Sequence, residues 1–102
     1  MSGNLHMTGE ELQIVHDVLS RCLPSGYQTF AFGSRATGVR LKPWSDLDLS
    51  IEGPTPLSFE AQGLLRHAFD ESLLAFKVDV VDRQSVSEEF GRIIDQSKVD
   101  LG

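Results

Sequence analysis

The stretch Ser45-Asp46-Leu47-Asp48-Leu49-Ser50-Ile51 constrains this chain more than any other. Polar and apolar residues alternate along it, and a period of two is that of a β-strand. Asp46 and Asp48 therefore project from one face, and Leu47, Leu49 and Ile51 from the other. The apolar side belongs against a core, which leaves the carboxylate side open. Two parallel carboxylates on a rigid strand form a hard-oxygen site suited to Mg²⁺.

Upstream, the run Phe30-Ala31-Phe32 breaks abruptly into Gly33-Ser34, with eleven residues between Ser34 and Asp46. A Gly-Ser turn leaving a strand offers free backbone N–H groups and a hydroxyl, which suit a phosphate. Taken singly, Asp-x-Asp is often a solvated strand edge and Gly-Ser an ordinary turn. Together, each in the context its chemistry needs, they read as metal-dependent phosphoryl or nucleotidyl transfer.

A third carboxylate joins them by parity. In Phe76-Lys77-Val78-Asp79-Val80-Val81-Asp82, the residues Phe76, Val78 and Val80 share one face, while Lys77 and Asp79 point the other way. With the apolar faces of both strands under one helical layer, Asp79 stands beside Asp46 and Asp48. Two ions about 3.5–4 Å apart need bridging and terminal oxygens, and three carboxylates supply them. Asp82 has the wrong parity and reads as a cap or turn residue.

The remaining segments supply the layers. Thr8-Gly9-Glu10-Glu11 is a capping box, and Leu12, Val15, Val18, Leu19 and Cys22 follow at helical spacing. A helix is expected from Gly9 to Arg21, stopped by Pro24 and Gly26. His16 lies off its stripe, as a boundary residue. Tyr27 to Phe32 reads as a strand with Phe30 and Phe32 toward the core and Ala31 on the other face, leaving room near a ligand. A short helix or turn is expected over Ser34 to Gly38. Arg35, Arg40 and Lys42 make the following connector locally basic, either as ordinary surface charge or to hold a triphosphate. Trp44 is expected to pack over it, the alternative being to stack on a base. Thr55 and Pro56 suit the start of a second long helix, with Leu57, Ala61, Leu64, Leu65 and Ala68 as its apolar face. Ser85-Val86-Ser87-Glu88 reads as another capping box before Phe90, Ile93 and Ile94, and Val99 and Leu101 as a brief strand or docking tail.

Composition excludes several classes. The chain has 102 residues, 40% hydrophobic and 24% charged, enough for one globular domain. A net charge of −6 repels a polymer of phosphates, so nucleic acid is not expected as the main partner. Cys22 is the only cysteine, which points to a reducing, cytoplasmic setting without disulfides. No apolar run is long enough to span a bilayer. Residues 1–7 lack a pattern and are expected to be a flexible leader or an artificial remnant, with a single domain over residues 8–102.

Gly33-Ser34-Arg35-Ala36 followed by Ser45-Asp46-Leu47-Asp48 resembles the signature of the DNA polymerase beta-like nucleotidyltransferase superfamily. The chain is more closely similar to its minimal nucleotidyltransferases, a likeness that runs from about Thr8 to Leu101 and includes Ser72 to Asp82 and Ser87 to Phe90. The connector is one residue longer than the common pattern. The resemblance implies an α+β fold, a small mixed sheet flanked by helices, with an ATP donor and two Mg²⁺ ions. By carry-over, Asp46 and Asp48 would hold both ions. Asp79 would bind the catalytic one and accept the proton of the attacking hydroxyl. Gly33 and Ser34, with Arg35 beside them, would bind the donor's phosphates.

The resemblance also implies a hetero-oligomer with a separate helical protein of the HEPN type. In some such pairs, which resemble toxin–antitoxin modules, the nucleotidyltransferase adds AMP to a tyrosine of its partner. In others the helical protein is a substrate-binding subunit that presents a small molecule. A non-catalytic antitoxin that masks its partner is the rival reading, against which the three intact carboxylates argue. A plain metal-binding domain leaves Gly33-Ser34 unexplained.

Overall fold

Chain order alternates helices and strands, and the computed structural model describes residues 5–101. Helix α1 (Gly9–Cys22) is followed by β1 (Gln28–Phe32), a one-turn α2 (Ser34–Thr37) and β2 (Leu47–Glu52). Then come α3 (Phe59–Asp70), β3 (Val78–Asp82), a 3₁₀ turn (Arg83–Ser85), α4 (Glu88–Ser97) and β4 (Val99–Asp100). The sheet order is β3-β2-β1-β4. β1 runs antiparallel to β2 and β4, and β2 parallel to β3, with α3 as the crossover. No helix among the described residues is long and apolar enough to cross a membrane.

The core lies on one side of this sheet. Leu47, Leu49 and Ile51 of β2 are fully buried beside Val78 and Val80 of β3. Val15 and Val18 of α1 and Ala61, Leu65 and Phe69 of α3 cover them. Burying side chains of this size contributes roughly 1.5–3 kcal/mol each. The capping box at α1 forms as expected: Glu11 N donates to Thr8 Oγ1 (3.1 Å) and Thr8 N to Glu11 Oε1 (2.9 Å).

Four expectations change. Ala31, not Phe30 or Phe32, faces the main core, because the register sets it opposite buried Leu49 and sets Phe32 opposite Asp48. Phe30 and Phe32 lie on the carboxylate side, where α4 covers them. Phe32 meets Phe90 edge to face at 5.8 Å, and Lys98 Nζ lies 4.4 Å over the Phe30 ring. Helix α3 begins after Ser58, whose Oγ accepts from Ala61 N, while Thr55 pairs with the Tyr27 hydroxyl. Pro54 and Pro56 hold the chain before it off the helical track. Leu64 is accordingly 54% exposed and Phe69 takes its place in the core. Helix α4 is capped by Ser87, accepting from Phe90 N, and Ser85 donates instead to Asp82.

The start of the domain also differs. Residues 1–4 of the expected leader lie outside the described residues, but Leu5 and Met7 pack against the core. His6 N donates to Arg35 O at 2.7 Å, so this segment is tied down. His16 is bound as well, donating through Nε2 to Leu101 O at 2.7 Å.

Candidate active site

Parallel pairing of β2 with β3 sets Asp48 directly opposite Asp79. Asp46 immediately precedes β2, where Leu47 N donates to Lys77 O at 2.9 Å and fixes the strand entrance. The three sequence-selected carboxylates thus fall at one end of one sheet face. Asp46 and Asp79 are exposed and Asp48 is half-buried. Burial first, then the Asp79 and Asp46 carboxylates, raise Asp48 from its ordinary value to about 6.

The turn after β1 closes onto this group. Gly33 has φ +78, in the left-handed region that glycine reaches without a Cβ penalty. A Cβ there would lie 2.5 Å from Asp48 Oδ2, so only glycine lets the backbone approach the carboxylate this closely. Gly33 then caps α2 with no side-chain acceptor, which leaves the first N–H groups of that turn without an intrahelical partner. Gly33 O accepts from Ala36 N and Thr37 N, and Gly38 returns the chain in a left-handed C-cap. The local sequence Gly-Ser…Gly therefore presents Ser34 and free N–H groups beside the acidic end of β2.

Arg35 sits differently from the expectation that it holds phosphate. It is 6% exposed, and its guanidinium donates to the backbone carbonyls of Ser45 (2.8 Å), His6 (2.9 Å) and Pro43 (3.0 Å). Its Cζ lies 3.9 Å from the Phe76 ring centroid. Each of its three nitrogens donates to one of the protein's own carbonyls. Trp44 does not pack over the connector either; it is 70% exposed next to the acidic end of β2. The connector turns where Arg40 takes φ +56 and Lys42 N donates to Ser45 Oγ.

Phe32 and Phe90 belong to the surroundings of the site, and the sequence reading placed neither there. The signal was present in the parity of β1 relative to β2, which needs the register and not only the pattern. Asp82 is 4% exposed and serves the fold, accepting from Leu57 N, Gln84 N and Ser85 Oγ.

Chemically the trio is an oxygen-only donor set, which suits a hard divalent cation. Among the described residues no group of three acidic, histidine or cysteine side chains, this trio included, is placed to hold a metal ion by itself. The carboxylates form an open ledge, so phosphate oxygens and water would complete a coordination sphere. The raised pKa of Asp48 follows from its half-burial first and then from the Asp79 and Asp46 carboxylates beside it. A groove of about 520 Å³ lies elsewhere, lined by Leu19, Tyr27, Thr29 and Leu101 among others, and includes none of the trio.

A mixed four-stranded sheet that aligns a Gly-Ser turn with carboxylates on adjacent strands is the frame of a nucleotidyl-transfer domain. The nucleotidyltransferase domain family matches residues 12–100, and the chain belongs to that family. It is 44% identical over 90 residues to the probable protein adenylyltransferase MntA of Haemophilus influenzae, covering 88% of this chain and 77% of that protein. Its fold matches a crystal structure of a toxin–antitoxin with AMP-PNP (TM-score 0.74, 22% identity, 89% of this chain and 72% of that one). It also matches the complex of the tri-AMPylated HEPN toxin of Shewanella oneidensis with its MNT antitoxin (TM-score 0.71, 20% identity, 94% and 72%). The expected family and α+β fold are thus shown.

Proposed function

We propose that this chain transfers AMP from ATP to a hydroxyl on a helical HEPN-type protein, as one half of a toxin–antitoxin pair. One observation carries the reading: the Gly33 turn is pressed against Asp48, which itself faces Asp79 across the parallel strands. A phosphate on Gly33 and Ser34 would lie beside the carboxylates that act on it. The likeness to a probable protein adenylyltransferase supports a protein as acceptor.

Asp46, Asp48 and Asp79 would hold Mg²⁺, as many as two ions, which would neutralise charge developing on the transferring phosphate. The protein's own groups do the rest. Gly33 N–H, Ser34 N–H and the Ser34 hydroxyl bind and orient the donor's phosphates. The acceptor oxygen attacks the α-phosphorus in line, a P–O bond forms, and the bond to the β-phosphate bridging oxygen breaks. Pyrophosphate leaves, and Asp79 takes the acceptor's proton. The open ledge leaves the acceptor side uncovered, and a net charge of −6 favours a partner with a basic patch over free nucleic acid.

The test is incubation with ATP labelled on its α-phosphate, with and without the product of the adjacent gene. Label on that protein, absent with Asp79→Asn, is the expected result. Label on a small molecule or an RNA, independent of the partner, rejects the reading.

A further inference from the structure

We propose that Arg35 is a positioning residue that locks the phosphate turn to the carboxylate strands, not a phosphate ligand. This rests on the nucleotidyl-transfer reading of the same site. Arg35 follows the Gly33-Ser34 turn directly in the chain. Its Nε donates to the carbonyl of Ser45, the residue before Asp46. Its Nη2 donates to Pro43 O, which holds the end of the connector, and its Nη1 to His6 O, which pins the segment before α1. His6 N returns a bond to Arg35 O, so that segment is held by both side chain and backbone. The face of the guanidinium rests on Phe76, three residues before Asp79. One planar group, set directly after the phosphate turn, therefore touches the segments that lead into α1, into Asp46 and into β3.

Only arginine can do this. Its flat fork carries five donors in fixed directions and stacks on a ring with its face, whereas lysine offers one compact charge on a flexible stem. The cation is nearly buried, and among the described residues its hydrogen bonds go to carbonyl dipoles instead of to an acid. A guanidinium so engaged has each of its three nitrogens committed to a backbone carbonyl. The connector it grips carries a left-handed Arg40, a conformation that costs about 1–2 kcal/mol outside glycine and needs outside support. Without the clamp, Ser45 and Asp46 lose their fixed distance from Gly33. The metal-dependent part of donor binding would suffer while the backbone contacts to phosphate remain.

The experiment compares wild type, Arg35→Lys and Phe76→Leu by isothermal titration with a non-hydrolysable ATP analogue, first in EDTA and then with Mg²⁺. The expected result is affinity within threefold of wild type in EDTA for both variants. The gain in affinity on adding Mg²⁺ falls at least tenfold in Arg35→Lys and less steeply in Phe76→Leu, which keeps the arginine but removes its platform. If Arg35→Lys fails to fold, Phe76→Leu carries the same comparison. Loss of affinity in EDTA as large as in Mg²⁺, confined to the arginine variant, would mean direct phosphate contact and overturn the proposal. A full Mg²⁺-dependent gain in both variants would overturn it too. Wild type that binds the analogue with no Mg²⁺-dependent gain rejects the metal reading itself, and the positioning role with it.

Discussion

Asp48 and Asp79 are direct partners across the parallel strands β2 and β3, and among the described residues no basic side chain forms an ion pair with either. Like charges directly opposite on a sheet are destabilising. A fold that keeps them, with Asp48 half-buried, holds strain that a cation would relieve. The sheet carries this charge because its other face is well packed, with Leu47, Leu49 and Ile51 fully buried.

The contribution of Asp48 to stability should therefore fall as the metal-free protein leaves acid. The folded-state pKa of Asp48 is raised to about 6, above the ordinary value near 4 that it has unfolded. The folded state thus binds the proton more tightly. That contribution is fully present below about pH 4 and is lost as the pH rises through about 6. Half-exposure and screening reduce this contribution to about 1 kcal/mol, or about 4–8 °C in a domain this small. In EDTA, Asp48→Asn should match wild type near pH 4 and exceed it by that margin at pH 8. A gap that stays constant across pH in thermal scans contradicts the raised pKa of Asp48.

Mg²⁺ should reverse the penalty in wild type alone. At ten times its dissociation constant a ligand adds about 1.4 kcal/mol. Wild type at pH 8 should gain several degrees in melting temperature on adding Mg²⁺ with the ATP analogue. Asp46→Asn, Asp48→Asn and Asp79→Asn should each lose most of that gain. Equal gains in all four proteins would place the cation elsewhere.

Gly33→Ala probes the turn. A non-glycine residue at positive φ costs about 1–2 kcal/mol, and the new Cβ would meet Asp48 Oδ2 at 2.5 Å. The carboxylate must swing away, so donor affinity should drop at least tenfold along with the stability loss. Urea unfolding and titration with the analogue read the two effects separately. A stability loss with unchanged affinity would make the turn purely structural.

What the sequence displayed followed from periodicity. The parity of Asp46, Asp48 and Asp79 was legible because β2 and β3 alternate cleanly against one helical layer. The Thr8–Glu11 capping box was legible because all its partners lie within three residues. β1 carries no such signal. Thr29, Ala31 and Phe32 are buried and Phe30 is partly buried, since α4 covers the face opposite the main core, and only pairing with β2 tells the faces apart. The inward setting of Arg35 was not legible for a related reason. Its partners Ser45 and His6 lie 10 and 29 residues away, and a basic residue next to a phosphate turn looks the same whether it faces outward or inward. Leu64 and Phe69 exchanged roles once the prolines moved the start of α3.

Asp82 separates an acid that serves the fold from those that serve the site. It lies in the same strand as Asp79 but faces the other way, where Leu57 N (3.0 Å), Gln84 N (3.1 Å) and Ser85 Oγ (2.8 Å) all donate to it. These bonds tie the approach to α3 to the turn after β3. Asp82→Ala would strand the buried Leu57 N–H and remove three charge-assisted bonds, a loss of about 3 kcal/mol. Against a total of about 5–15 kcal/mol that is a large fraction, so the alanine variant should melt many degrees below wild type. Asp82→Asn keeps an acceptor oxygen for part of the network and should lose about half as much. The decisive reading is the increment on adding Mg²⁺ with the ATP analogue. Asp82→Asn should show the wild-type increment from its lower starting point, whereas Asp79→Asn should show little. If Asp82→Asn also loses the increment, the two faces of β3 are not independent and the assignment of the metal-facing acids by strand parity fails.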